Sequence, residues 1–182
     1  MKETLKLGII LLIITVTSAG VLAVSNNLTK DKIAQLDIES SLAALVEIFG
    51  DGYEFKIMDG EKQEVIIDEN PSIIEILEAY DGETLAGYAI KTVTSGYDGD
   101  LIILTGISIE EDKVLGMKLL EHNETPNLGA KAAEPEFEER FPGKSLGEEV
   151  KVEGISGATT TTKGVLKGVN IARELYNEVL SN

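Results

Sequence analysis

The chain has 182 residues, 43% of them hydrophobic and 5% aromatic, with no cysteine, one histidine and a formal net charge of −16 at pH 7. That length suits one domain with an appendage; the missing thiol excludes disulfides, iron–sulfur ligation, Cys-x-x-Cys-His haem and a lipidated cysteine, and a lone His122 argues against a zinc or His-ligated haem centre, so no metal is expected. The acidic balance repels phosphate backbones, which argues against nucleic acid as a partner, and any redox chemistry must come from an organic cofactor.

No charged residue occurs from Leu7 to Thr29. The core of this stretch, LGIILLIITVTSAGVLAV (7–24), fits a helix crossing a hydrocarbon layer of about 30 Å at about 1.5 Å per residue. The rival reading is a cleaved signal peptide with Val21-Leu22-Ala23 at its end, but the apolar run is longer than such segments need. We expect an uncleaved single-pass anchor in the cell membrane, with a short cytoplasmic tail and the bulk of the chain on the extracytoplasmic side; residues 1–27 form this tail and span.

Residues 28–50 read as a connecting helix. Leu28, Ile33, Leu36, Leu42, Leu45 and Phe49 share a broad stripe, and Gly50 is a stop signal. Two short strands, YEFKIM (53–58) and EVIID (64–68), flank an expected Asp59-Gly60 turn. Residues 73–80 and 84–95 read as a hairpin turning at Asp81-Gly82. SGYDGD (95–100) is a glycine-rich bend. LIILTGISI (101–109) and VLGMKLLEH (114–122) form a second pair around Glu111-Asp112. EEVKV (148–152) reads as a last strand. The final helix is marked by Val165, Val169, Ala172, Tyr176 and Val179 on one face, and Gly164 and Gly168 imply close packing against its first turns. The pattern is α+β: an N-terminal transmembrane helix, then an antiparallel sheet with flanking helices.

GISGATTTTKGV (154–165) places four threonines where a helix begins. Capping needs one hydroxyl. Small residues Ser156, Gly157 and Ala158, orphan N–H groups, the hydroxyls of Thr159, Thr160 and Thr161, and Lys163 together also suit an anion such as phosphate. The spacing is not that of a Walker A loop.

SGAT followed by Thr161 resembles the flavinylation motif of FMN-binding domains, most closely the G subunit of the Rnf electron-transport complex and next the C subunit of the sodium-translocating NADH:quinone reductase. EHNETPNLGAK (121–131) resembles the family's His-x-Glu-Thr-Pro-Gly-Leu-Gly segment, with Asn127 in place of Gly, and SGYDGD resembles its Gly-Tyr-x-Gly segment. Glu153 stands where the family has Asp. The resemblance covers essentially the whole chain and makes residues 51–182 the FMN-binding domain. It implies FMN joined by a phosphoester to Thr159, with Ser156, Gly157, Ala158, Thr160 and Thr161 around the phosphate. It also implies a ring site near Tyr97, Glu124, Thr125, Leu128 and Gly129, with Ala130 adding apolar lining and Glu124 and Thr125 tuning the potential through polar contacts. His122 is read as structural. The implied function is a redox subunit, not catalytic alone, relaying electrons on the outer face of a membrane-bound, ion-translocating ferredoxin:NAD oxidoreductase. Its implied partners are the other subunits of that complex and a flavin transferase. The alternatives are the quinone reductase's C subunit and a non-redox extracytoplasmic binding module.

Overall fold

The computed structural model describes residues 2–181, with side chains described for 6–26 and 40–181. It divides into two compact units, Met1–Ser40 and Ser41–Asn182. Helix α1 (Lys2–Phe49) contributes residues to both.

In the first unit, Lys6–Asn26 is long and apolar enough to cross a membrane, with mean hydropathy 2.6 and no part of it buried. Its two threonine hydroxyls are internally satisfied: Thr15 donates to the Leu11 and Leu12 carbonyls and Thr17 to that of Ile13. Such back-bonding is what hydroxyls need where water is absent. The side chains of Leu28, Ile33 and Leu36 in the expected stripe lie outside the described residues.

The second unit is built on a five-stranded antiparallel meander, β1 (Tyr53–Ile57), β2 (Ile73–Asp81), β3 (Thr84–Ser95), β4 (Asp100–Ser108) and β5 (Lys113–Glu121), in the order β1-β2-β3-β4-β5. The two expected hairpins are present, with Gly82 at φ +62° and Asp112 at φ +54° in their turns. The central strands are apolar on both faces because both faces are covered. On one face Ile76, Tyr88, Ile90, Leu101, Ile103 and Ile107 meet Val165, Val169 and Ala172 of helix α4 (Thr159–Leu175), with Phe137, Phe141 and Leu146 completing the core. On the other, Leu77, Ala89 and Leu104 meet Ala44 and Leu45 of α1. Gly106 pairs with Gly116, and the missing Cβ atoms make room for Phe49 and Ile48. Of the α1 stripe, Leu45 is buried and Leu42 is exposed; the helix stops at Gly50, φ +87°.

Three local expectations are corrected. Residues 64–68 are helical, within α2 (Gly60–Glu69), because Asp59 is an N-cap: its side chain accepts from the N–H groups of Glu61 and Lys62. The β-branched run still buries Ile66, but the cap and the helix formers after it outweigh its strand preference. Residues 148–152 form no strand. Val150 is buried, and its main chain pairs with the Asn170 side-chain amide, donating at 2.8 Å and accepting at 3.0 Å, where a strand would need a neighbour. Val179 is exposed although Tyr176 is buried. The helix widens into a π turn over Tyr176–Leu180, sealed by Ser181 N–H to Tyr176 O, and this shifts the phase of the stripe.

Glu138 of α3 (Pro135–Glu138) is buried at the edge strand, where it accepts from Leu119 N–H and Lys118 Nζ; Lys118 also pairs with Glu47. Burial pushes the Lys118 ammonium down, but bonds to Glu138 and Glu47 outweigh it and hold the group above its ordinary 10.5. Burial, then nearby Glu78, raises the Tyr88 phenol above 10.0, and burial also raises Tyr176. In each case the folded state holds the proton more tightly than the unfolded chain. The stability involved is intact below the unfolded values and is lost as pH rises through the folded ones. We expect the melting temperature to fall as pH rises from about 9 to about 11. Thermal denaturation against pH checks it, and Tyr88→Phe with Tyr176→Phe should flatten the fall.

Candidate functional site

Three segments far apart in sequence meet where α4 begins: the β3–β4 turn, the loop after β5, and the threonine stretch. They enclose a cleft of about 420 Å³ lined by Tyr97, Glu124, Thr125, Leu128, Gly129, Gly157, Ala158, Thr159, Thr160 and Thr161. Ten of the twelve phosphate- and ring-site residues expected from the sequence therefore line one cavity. Ser156 does not: it lines a neighbouring hollow with Lys131, Phe137 and Arg140. Ala130 is also absent from the lining. A further hollow of about 620 Å³, lined by residues including Met58, Val65, Tyr88 and Leu180, contains none of the expected site residues.

The threonines divide in two. Thr159 and Thr160 are exposed; Thr161 and Thr162 are buried. None caps the helix in the ordinary way, which corrects the capping expectation, because Ala158 occupies the N-cap position and no side chain bonds there. Thr162 serves the preceding loop instead. Its hydroxyl donates to Ala158 O and accepts from Ile155 N–H. Arg140 secures the same loop by donating to Glu153 O at 2.8 Å. The first intrahelical bond is Thr162 N–H to Ala158 O, which leaves the N–H groups of 159–161 without a carbonyl in the helix. Gly157, at φ +80°, turns the chain into this position as no side-chain-bearing residue does easily.

Glu124 is 6% exposed, so it is not a solvated loop acid. Oε1 accepts from Tyr97 N–H at 2.7 Å and Asp98 N–H at 3.3 Å, and Oε2 accepts from the Thr161 hydroxyl at 2.7 Å. One carboxylate thus ties all three segments. Its own N–H donates to His122 Nδ1, the structural part read for His122. Asn127, which stands in place of the resembling segment's Gly, adopts a left-handed backbone, φ +60°. Tyr97 is 75% exposed, which excludes a core tyrosine and leaves its ring at the cleft. Sequence reasoning missed Gly96, Thr162 and Arg140. A Cβ on Gly96 or on Gly129 would overlap the Glu124 carboxylate. The signal available for Gly96 was its place in SGYDGD; Arg140 carries no local signal.

Residues 96–174 match the FMN-binding domain family. The G subunit of the Na⁺-translocating ferredoxin:NAD⁺ oxidoreductase complex of Acetobacterium woodii is 33% identical, over 98% of this chain and 94% of its own. The chain belongs to the family of G subunits of ion-translocating oxidoreductase (Rnf-type) complexes. The G subunit of the Methanosarcina acetivorans ion-translocating oxidoreductase complex is 27% identical over 94% of this chain and 93% of its own. In fold, the chain is similar to the C subunit of the Na⁺-translocating NADH-quinone reductase from Parabacteroides distasonis, with TM-score 0.54 at 23% identity, covering 71% of this chain and 78% of that one. The family membership and the mixed α+β architecture expected from sequence are both borne out.

The residues present fit an FMN. A cleft of about 420 Å³ lies within the range of small-molecule sites, about 300–1,000 Å³. It pairs apolar Leu128 and Ala158 with three unpartnered helix N–H groups and an exposed hydroxyl at Thr159.

Proposed function

We propose that this chain is the covalent-FMN electron carrier of a membrane-bound ion-translocating ferredoxin:NAD oxidoreductase, anchored through Lys6–Asn26 with its sheet domain on the extracytoplasmic side. The observation that carries the reading is the cleft in which all three motif segments converge on the exposed Thr159. Family membership supports it, since the relatives are G subunits of ion-translocating oxidoreductase complexes, one of them a ferredoxin:NAD⁺ oxidoreductase. FMN, when bound, supplies reversible electron uptake, which a cysteine-free chain cannot draw from thiols or iron–sulfur clusters.

Thr159 Oγ1 is the attachment atom, accessible to a flavin transferase. The N–H groups of 159–161 and the positive end of α4 stabilise the phosphodiester charge. Gly157 keeps the approach free of a side chain. Leu128 and Tyr97 cover the ring site from opposite loops, where their exposed apolar surface is otherwise unpaired. Thr125 offers a polar contact. The ester prevents loss of the flavin to the outside medium. The other subunits of the complex are the electron donor and acceptor.

Protein purified from its own host should show a flavin-fluorescent band after denaturing electrophoresis, and its mass should exceed that of the chain by one FMN less one water. Absence of both would leave a non-redox binding module as the reading.

A further inference from the structure

The Glu124 carboxylate has no ion-pair partner among the described residues. Its three donors, two main-chain N–H groups and the Thr161 hydroxyl, are all neutral. The first turn of α4 helps hold the charge, since Thr161 is its third residue and the helix presents its positive end there. Gly96 and Gly129 flank the carboxylate and give it the space it occupies. Both of its oxygens are taken by the protein, yet the residue lines the cleft.

We propose that Glu124 is a positioning residue that bonds the protein alone and acts on a flavin in this cleft as a fixed negative charge, lowering its reduction potential. The inference rests on the flavin-carrier reading above. Reduction brings negative charge into the cleft, and a nearby carboxylate, screened poorly because it is buried, opposes it. The same three bonds hold the carboxylate in one place between the three segments.

Glu124→Gln separates charge from shape. A glutamine carbonyl accepts from Tyr97 and Asp98 N–H as the carboxylate does. Its amide donates to Thr161 Oγ1, because a hydroxyl both donates and accepts. The full-length flavin-loaded variant, purified in detergent, should have a more positive midpoint potential than wild type at a nearly unchanged melting temperature. Glu124→Asp keeps the charge and shortens the reach. It should melt lower while its potential stays at or near the wild-type value. A Glu124→Gln protein with flavin and an unmoved potential overturns the proposal. So does one that folds but carries no flavin, which would put Glu124 in attachment, and so does a raised potential in Glu124→Asp. Wild-type protein without covalent flavin would instead be a failure of the carrier reading itself.

Discussion

Thr159→Val should abolish covalent flavin and leave the fold intact. Valine replaces the hydroxyl with a methyl group of nearly the same size, so any loss reports on the oxygen. Thr159 is exposed, and no side-chain bond at the start of α4 depends on it. Surface substitutions of this kind stay within about 0.5 kcal/mol. The structural hydroxyls are those of Thr161 and Thr162, which stay in place. The fluorescent band and the mass excess should both vanish while the melting temperature holds within about 2 °C. Retained covalent flavin would move the attachment to another hydroxyl, and Thr160, also exposed at the cleft, would be the first to examine. Thr161 is a poorer acceptor on geometric grounds, because its hydroxyl is buried against Glu124 Oε2.

The two hairpins and the antiparallel sheet were legible because hairpin turns leave strong local signals: Asp81-Gly82 and Glu111-Asp112 punctuate runs of apolar residues. Residues 64–68 were misread because Val-Ile-Ile carries a strand preference, and the deciding bond lies upstream at Asp59. Residues 148–152 alternate as a strand does, but Asn170, some twenty positions on, supplies the pairing groups. Likewise the cleft residues, Glu124 among them, could be named from three motif blocks, whereas the bonds by which its carboxylate ties the blocks together could not. Glu124 looked like a group free to meet a ligand. Only in three dimensions do Tyr97, Asp98 and Thr161 converge on it. Contacts between distant segments are where periodicity and turn chemistry stop being informative.

Gly164→Ala should be the most damaging of the conservative helix substitutions, although alanine is the better helix former by about 1 kcal/mol. A Cβ there would lie 2.6 Å from Ser95 O and 2.9 Å from Leu101 Cδ1. The first of these is main chain at the end of β3, which cannot rotate aside. Thr94 also donates to Gly164 O at 2.9 Å, so the helix and strand are pinned where the methyl would intrude. Overpacking of this kind costs about 1–3 kcal/mol, so clearance outweighs propensity. Gly168→Ala supplies the contrast. Its Cβ would meet Ile103 Cδ1 and Thr92 Oγ1, two side-chain ends that can turn away, and Thr92 Oγ1 has no partner to lose. There the gain in propensity should roughly balance the crowding. Parallel thermal melts should place Gly164→Ala about 5 °C below wild type and Gly168→Ala near it. The damage at Gly164 should also reach the cleft, because Ser95 leads directly into Gly96 and Tyr97, whose N–H is held by Glu124. Displacing that strand end lengthens the bond and loosens the loop. Flavin loading should therefore drop in Gly164→Ala and hold in Gly168→Ala; equal melting and equal loading in the two variants would mean that the helix start shifts freely on the sheet.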